Sequence, residues 1–442
     1  MLNTIHHFLW GPGTPGLLLG TGLFLTLRMH FLPWRRFGHA LQSALGRDAR
    51  TSCKDGVSPF SALMTTLAAT MGTGNIVGVS TALVAGGPGA LIWMELSALL
   101  GMATVFTESL LSVKYRRKGT SGEWLGGPMY VMQATLGKYA GRGLGALFAL
   151  FAVGASFGIG SMTQANAISE ALHTTFGLPT HPVSLVTALL ALLAILGGIR
   201  SISSVTSFLV PAMSLVYMGA GIIVILGNSE HLLSGMREIF HCAFSPEAIT
   251  GGTAGAALKW GIARGIFSNE AGLGSAGIAA AAADAKSPVH QAYISMTGPF
   301  FDTIVVCTVT GLAICCSGVL GTTDSTGFPV NGAALTILAF ETVLGDFGSR
   351  LIAVSIVLFA FSTILGWEYQ GEQAFIYLTQ GRGRLIYRIL YAFAALWGAG
   401  QSLETVYLFS DLCNALMCMP NLLCVLLLNG EALQAMRTHK NL

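Results

Sequence analysis

Charge is what this chain has least of. Asp, Glu, Lys and Arg make up 10% of its 442 residues, against about 25% in ordinary soluble domains. So few cannot solvate a globular surface, and a formal net charge of +3 is too small to hold nucleic acid. Cysteine occurs eight times, yet in no CxxC pair and in no Cys/His ligand spacing. Cys307, Cys315 and Cys316 share one apolar segment and Cys413, Cys418 and Cys424 another. They read as small core side chains, not as a disulfide or metal framework. A secretory signal is lacking too. No Lys or Arg precedes the first apolar run, no small-residue cleavage site ends it, and Arg28, Arg35 and Arg36 follow it. That run is expected to stay as a membrane helix. No histidine falls mid-way in an apolar segment, and no Ser/His or His/Glu/His set lies within one, which argues against an intramembrane enzyme.

What the chain does have is apolar length. Its residues are 53% hydrophobic, gathered in about eleven runs of roughly 20 to 30 residues, enough to cross a bilayer. They lie near 10–31, 59–86, 89–115, 144–172, 183–199, 204–228, 253–283, 289–318, 348–378, 384–400 and 404–429. The stretch Asn331–Thr342 reads instead as a short amphipathic helix in the interface. The fold class expected is therefore an all-α polytopic membrane protein. Alternate loops hold nineteen of the 23 Lys and Arg residues, from Arg28 through the Lys114–Lys118 cluster and Arg200 to Arg382, Arg384 and Arg388. Loop charge sets topology, so that side is expected to be cytoplasmic, with the N-terminus outside and the C-terminus inside. The lipid bilayer is the partner this implies, and nothing implies an obligate protein partner.

Two spans carry breaks. Met71-Gly72-Thr73-Gly74-Asn75-Ile76-Val77-Gly78 crowds three glycines into the second span, and Phe267-Ser268-Asn269-Glu270-Ala271-Gly272-Leu273-Gly274 interrupts the seventh. Glycine costs helix stability, and backbone groups freed inside a bilayer must be satisfied by protein, water or ligand. Paired broken helices in matching places point to a transporter's binding site. With the first span set aside, the remaining ten fall into five plus five. Each five opens on a broken helix, and the two enter from opposite sides, an inverted repeat. Segment 1–58 would hold an extra helix and a basic loop, 59–228 and 253–429 the two repeats, and 430–442 a cytoplasmic tail.

Candidate residues follow from the breaks. Unwinding at Gly72-Thr73-Gly74 gives a half-helix start near Asn75 whose positive end suits a carboxylate, while carbonyls and the Asn75 side-chain oxygen suit Na⁺. Close helix packing through Gly74 and Gly78 is the plainer alternative. At the second break, Ser268, Asn269 and Glu270 sit beside Gly272 and Gly274. Glu270 there is either a structural carboxylate tying the unwound backbone together or a coupling group. Gly272-Leu273-Gly274-Ser275-Ala276-Gly277 spells a dinucleotide fingerprint, but its flanks are membrane helix where that motif needs a strand. Asp302 lies mid-span with no basic neighbour in sequence, so it needs a buried partner or serves a relay. Gln164 and Asn166 form a polar patch in span four. Thr363 and Trp367, four apart, share one helical face. Glu108 is expected to reach toward Lys114 and the Arg116–Arg117 cluster.

Taken together, Ser58-Pro-Phe-Ser-Ala-Leu63, Gly72–Gly78, Gly86-Gly-Pro88, Gly126-Gly-Pro-Met-Tyr130, Ala263–Ser275 and Thr363-Ile-Leu-Gly-Trp367 resemble the alanine/glycine:cation symporter family. The resemblance spans nearly the whole chain. It implies uptake of small neutral amino acids across a bacterial or archaeal inner membrane, driven by Na⁺ or occasionally H⁺, and a fold of the leucine-transporter type. Carried over by motif, the substrate contacts are Thr73, Gly74, Gln164, Phe267, Ser268, Thr363 and Trp367. Asn75 matches an asparagine that the wider fold uses as a sodium ligand. Ser61, Gly277 and Gln291-Ala292 depart from the family pattern, none at a substrate contact. Rival readings are an uncoupled facilitator or channel of the same fold and a structural scaffold. A scaffold would have no use for polar residues at both breaks.

Overall fold

The computed structural model describes residues 9–10, 13–51, 56–119, 122–244, 253–324, 326–401 and 403–440. It is almost wholly helical. Six helices among the described residues are long and apolar enough to cross a membrane by length and composition. Their setting explains the composition. Helices Thr180–Ile195, Gly198–Gly227 and Arg384–Gly398 turn large apolar side chains outward, with Leu193 68%, Phe208 78% and Ile386 61% exposed. On Arg384–Gly398 the outward set Leu385, Ile386, Ile389, Leu390 and Phe393 alternates at helical spacing with buried Tyr387, Tyr391 and Ala395. An apolar belt of that size faces lipid, because exposing it to water is unfavourable.

The two broken helices stand inside this belt. The first begins at Ser58, whose side chain accepts a hydrogen bond from the Ser61 amide at 3.1 Å, with Pro59 in the first turn. It runs Pro59–Thr70, passes through a tight turn at Thr73–Asn75, and restarts as Val77–Gly86. The second runs Thr253–Asn269, loses helical form over 270–274, and restarts as Ser275–Ala281. Gly272 (φ 96°) and Gly274 (φ 85°) take left-handed backbone that glycine adopts without penalty, and Glu270 adopts φ 55° beside them. Helix Ala90–Lys114 packs along both broken helices, and Asp346–Thr379 lies across the first. Two other helices contain widened π-helical turns, Ser156–Met162 and Phe300–Cys307, and both turns lie where the site needs them.

At the basic end, the chain entering the first broken helix pairs with the chain leaving the second. Val57 donates to the Ala282 carbonyl at 3.2 Å and accepts from the Asp284 amide at 2.9 Å. Arg116 closes the same junction by donating to the carbonyls of Ala281 and Ala283. At the opposite end, helix Gly332–Leu344 lies over the first break, with the Thr336 hydroxyl on the Ile76 carbonyl at 3.2 Å.

Three expectations change. The region after the first helix, read as a basic loop, contains helices Leu32–Arg35, Phe37–Leu45 and Arg47–Arg50, too short to carry a recognisable apolar period. The last helix, Leu403–Lys440, continues beyond 429, so residues 430–440 form no separate tail. Glu108 does not reach the basic cluster. Six residues place Lys114 about 120° around the helix from it, and Lys114 pairs with Glu431 at 2.6 Å instead. Glu108 is buried and accepts from the Asn421 amide.

Candidate functional site

The two breaks meet at Asp302. This residue projects from the Phe300–Cys307 π-turn and is fully buried. Its Oδ1 accepts from Asn75 Nδ2 at 2.8 Å, its Oδ2 from Ser268 Oγ at 2.7 Å and from Thr303 Oγ1 at 2.8 Å. Asn75 Nδ2 also lies 3.0 Å from the Asp302 carbonyl oxygen and 3.2 Å from Ser268 Oγ. Three residues, Asn75, Ser268 and Thr303, thus converge on one carboxylate, and no cation is among its hydrogen-bond partners in the described residues. The wide π-turn carries Cys307 round to the same cluster, 3.4 Å from both Asn75 Nδ2 and Ser268 Oγ.

The orientation of Asn75 follows from this. Every acceptor around the amide faces its nitrogen, so the oxygen points elsewhere. Asn75 Oδ1 is buried and has no hydrogen-bond partner among the described residues. An orphaned buried acceptor costs about 1–3 kcal/mol, a debt that a bound cation or donor removes. A neighbouring carboxylate raises the local preference for a cation further.

The first break opens because Gly72 donates to the Thr70 carbonyl at 2.9 Å, leaving its helical partner, the Ala68 carbonyl. That carbonyl is taken up by Thr363 Oγ1 at 2.9 Å. The approach is close: a Cβ on Gly72 would lie 2.4 Å from Thr363 Oγ1. Gln164 Oε1 accepts from the Thr73 amide at 3.4 Å, while its Nε2 donates to the Ile159 carbonyl at 2.9 Å. The Ser156–Met162 π-turn is what leaves the Ile159 carbonyl available five residues back. Asn166 faces the other way and donates to the Gln401 carbonyl at 2.9 Å, so the polar patch of this span is split. Gly74 approaches Phe267 and Ser268, its added Cβ meeting Phe267 Cδ1 and Ser268 Cα at 3.4 Å.

The second break is filled by protein. Asn269 Oδ1 accepts from the Ala271 amide at 3.1 Å, and Asn421 Nδ2 donates to the Gly272 carbonyl at 2.9 Å. Glu270 Oε2 accepts from Ser275 Oγ at 2.6 Å, across the break, and Oε1 accepts from Trp367 Nε1 at 2.7 Å. Trp367 is 1% exposed. It is locked in the interior by a carboxylate instead of sitting at a membrane interface.

The residues expected at the site therefore gather in one buried region: Thr73, Gly74, Asn75 and Gln164 around the first break, Phe267 and Ser268 beside it, and Thr363 and Trp367 on the facing helix. Sequence reasoning read Cys307 as a small core side chain and passed over Thr303, Tyr407 and Arg264 as site residues. The Phe267 ring lies 5.7 Å from that of Tyr407, and the Arg264 guanidinium sits 5.5 Å and 5.3 Å from the two ring centroids. Arg264 was visible, with Lys259, as a cation within span seven, and its place between aromatic rings is a usual way to carry such a charge.

Comparison with known proteins agrees with the fold. The chain is similar to MhsT, solved in complex with L-phenylalanine, at a TM-score of 0.61 and 14% identity, covering 85% of this chain and 90% of that one. This likeness is one of fold, the leucine-transporter type. It is 44% identical to the sodium/alanine symporter AgcS of Methanococcus maripaludis, over 97% of this chain and 94% of that protein. It is 35% identical to the probable sodium/glutamine symporter GlnT of Bacillus subtilis, over 99% of this chain and 90% of that one. A family profile described as the sodium:alanine symporter family matches residues 1–442. The chain is a multi-pass membrane transporter, not an enzyme, and it belongs to the sodium:alanine symporter family.

Proposed function

We propose that this transporter takes up a small neutral amino acid, alanine or glycine, together with Na⁺, by alternating access between two inverted five-helix repeats. The observation that carries the reading is Asn75. Its amide nitrogen is fixed by Asp302 and Ser268, and its oxygen is buried without a partner. Na⁺ takes that oxygen and is balanced by the Asp302 carboxylate nearby. The substrate carboxylate lies against the amides of Gly74 and Asn75, where the field of the restarting helix favours negative charge. Gln164 and carbonyls near Ser268 serve the ammonium group. Phe267 and Trp367 close the pocket and limit side-chain size, with Thr73 and Thr363 at its wall. Ion and substrate then favour the same closed state, which is what coupling requires. The basic end faces the cytoplasm, with the N-terminus outside and the C-terminus inside a plasma membrane.

The deciding experiment is uptake of labelled alanine into proteoliposomes under an inward Na⁺ gradient, an inward H⁺ gradient, or none. Concentrative uptake under Na⁺ is the expected result. Equal uptake in all three arms supports an uncoupled facilitator, and concentration under H⁺ alone moves the coupling to a proton. Pocket size has its own test, because the relatives include one named for alanine and one for glutamine. Trp367→Ala is expected to let glutamine and leucine compete with alanine, by about 10-fold or more for the side-chain volume released. Unchanged exclusion of both removes Trp367 from the pocket.

A further inference from the structure

A polar cavity remote from Asn75 lies at the basic end of the bundle. It measures about 590 Å³. The hairpin of Arg117–Lys118 and Trp124–Leu125 forms one side, helix Pro128–Thr135 the floor, and the ends of Arg142–Ala155, Asp346–Thr379 and Arg384–Gly398 the rest. Arg117, Lys118, Arg142 and Arg384 line it against a single carboxylate, Glu123, which is already paired with Arg384.

Four cations against one carboxylate leave the lining with an excess of positive charge, which an added anion would offset. Arg117 is fixed by its guanidinium lying 4.6 Å over the Tyr130 ring, and Tyr130 in turn meets Tyr377 edge-on at 5.1 Å. The Tyr377 hydroxyl is buried at this wall with no hydrogen-bond partner among the described residues, beside Tyr130 at 3% exposure. The lining therefore offers guanidinium, ammonium and phenol donors. An amino-acid zwitterion does not suit it, since its ammonium would join four cations. A phosphate group does: it presents several acceptor oxygens, carries the missing charge, and is the anion that forked guanidinium groups hold best.

We infer that this cavity binds a phosphate group, supplied by the headgroup of an anionic phospholipid. The lipid source follows from the cavity's setting. Its wall includes Leu378, and the helix that provides Arg142 continues outward with Leu147 and Leu150, 43% and 57% exposed on its lipid-facing side. A headgroup can enter while its chains stay against that stripe. The inference rests on the proposed function only in placing this end at the cytoplasmic leaflet. Its test reads binding and not transport, so failure of one leaves the other standing.

The experiment is native mass spectrometry of the full chain exchanged into phosphatidylcholine or phosphatidylglycerol. In parallel, Tm is measured for delipidated protein titrated with inorganic phosphate. Phosphatidylglycerol should be retained over phosphatidylcholine. The double variant Arg117→Gln/Arg142→Gln should lose roughly thirtyfold of that preference, as expected for two interfacial cations. Glu123→Gln, which keeps every cation, should strengthen retention and provides a test if the double variant does not fold. A phosphate-dependent rise in Tm that the double variant lacks, without any lipid preference, keeps the phosphate site but assigns it to a soluble ligand. Equal retention of the two lipids with no response to phosphate overturns the inference. So does a folded double variant that binds like the parent, or a Glu123→Gln variant with unchanged retention.

Discussion

The two broken helices look alike in sequence and are finished differently. At Glu270–Gly274 the protein supplies its own partners: Asn269 for the Ala271 amide, Asn421 for the Gly272 carbonyl, and Ser275 and Trp367 for the Glu270 carboxylate. At Gly72–Ile76 the backbone is partly met by Gln164 and Thr363, but the Asn75 oxygen is left bare beside Asp302. A carboxylate placed inside one break rigidifies it. A carboxylate placed opposite the other fixes a ligand-bearing side chain without occupying it. The polar content of a break thus says less about binding than how much of that content the protein leaves unsatisfied.

The largest effects should come from the unfilled break. Asn75→Ala removes the orphan oxygen, and alanine uptake is expected to lose its Na⁺ dependence. Uptake that still tracks the Na⁺ gradient would move the ion elsewhere. Asp302→Ala leaves Asn75 in place but unaligned, so apparent Na⁺ affinity should drop by about 10–100-fold, the usual loss when a partner that orients a metal ligand is deleted. Equal Na⁺ affinity in the variant would make Asp302 a bystander.

The filled break should respond in stability first. Glutamine at position 270 can accept only one of the two hydrogen bonds that Glu270 now receives. Glu270→Gln is therefore expected to cost about 1–3 kcal/mol, the range for leaving a buried hydrogen-bonding group unsatisfied. Trp367→Phe removes the indole donor from the same bond, so the two changes together should fall short of their sum by about 0.5 kcal/mol or more. Strict additivity in thermal unfolding would separate Glu270 from Trp367. Gly72→Ala tests the seam between the first break and helix Asp346–Thr379. Its Cβ would sit 2.4 Å from Thr363 Oγ1, a clash costing about 1–3 kcal/mol that Thr363→Ala should relieve.

Both breaks were legible in the sequence, though not the contrast between them. Glycines beside Asn75 and Glu270 marked both breaks, because such residues have no reason to interrupt lipid-facing helix. Thr363 and Trp367 shared a face by spacing alone. What local pattern could not carry was long-range pairing. Asp302 had no visible partner because Asn75 stands 227 residues away. Cys307 read as a small core residue because it lies in no CxxC or Cys/His spacing, and only the π-turn brings it beside Asn75. Glu108 was assigned to the nearest cations by chain distance, although helical phase pointed it toward Asn421. The short helices between Leu32 and Arg50 mix polar and apolar residues over too few turns to announce themselves.

The smallest expected effect lies farthest from either break and calibrates the rest. Asp48, on helix Arg47–Arg50, accepts from Lys286 Nζ at 2.6 Å, tying the segment before the first broken helix to the segment after the second. The hydrogen bond from Lys286, aided by its charge, holds the Asp48 carboxyl below the ordinary carboxylate range. A lowered folded value means any stabilisation is present above that range and disappears as pH falls through the lowered value. Both side chains are about two-thirds exposed, at 69% and 67%, where water and salt screen the pair. Asp48→Asn should therefore leave both Tm and uptake at neutral pH unchanged within error. If it instead alters uptake as strongly as Asp302→Ala does, the contacts between the two broken helices at the basic end would govern transport more than the ion site between them.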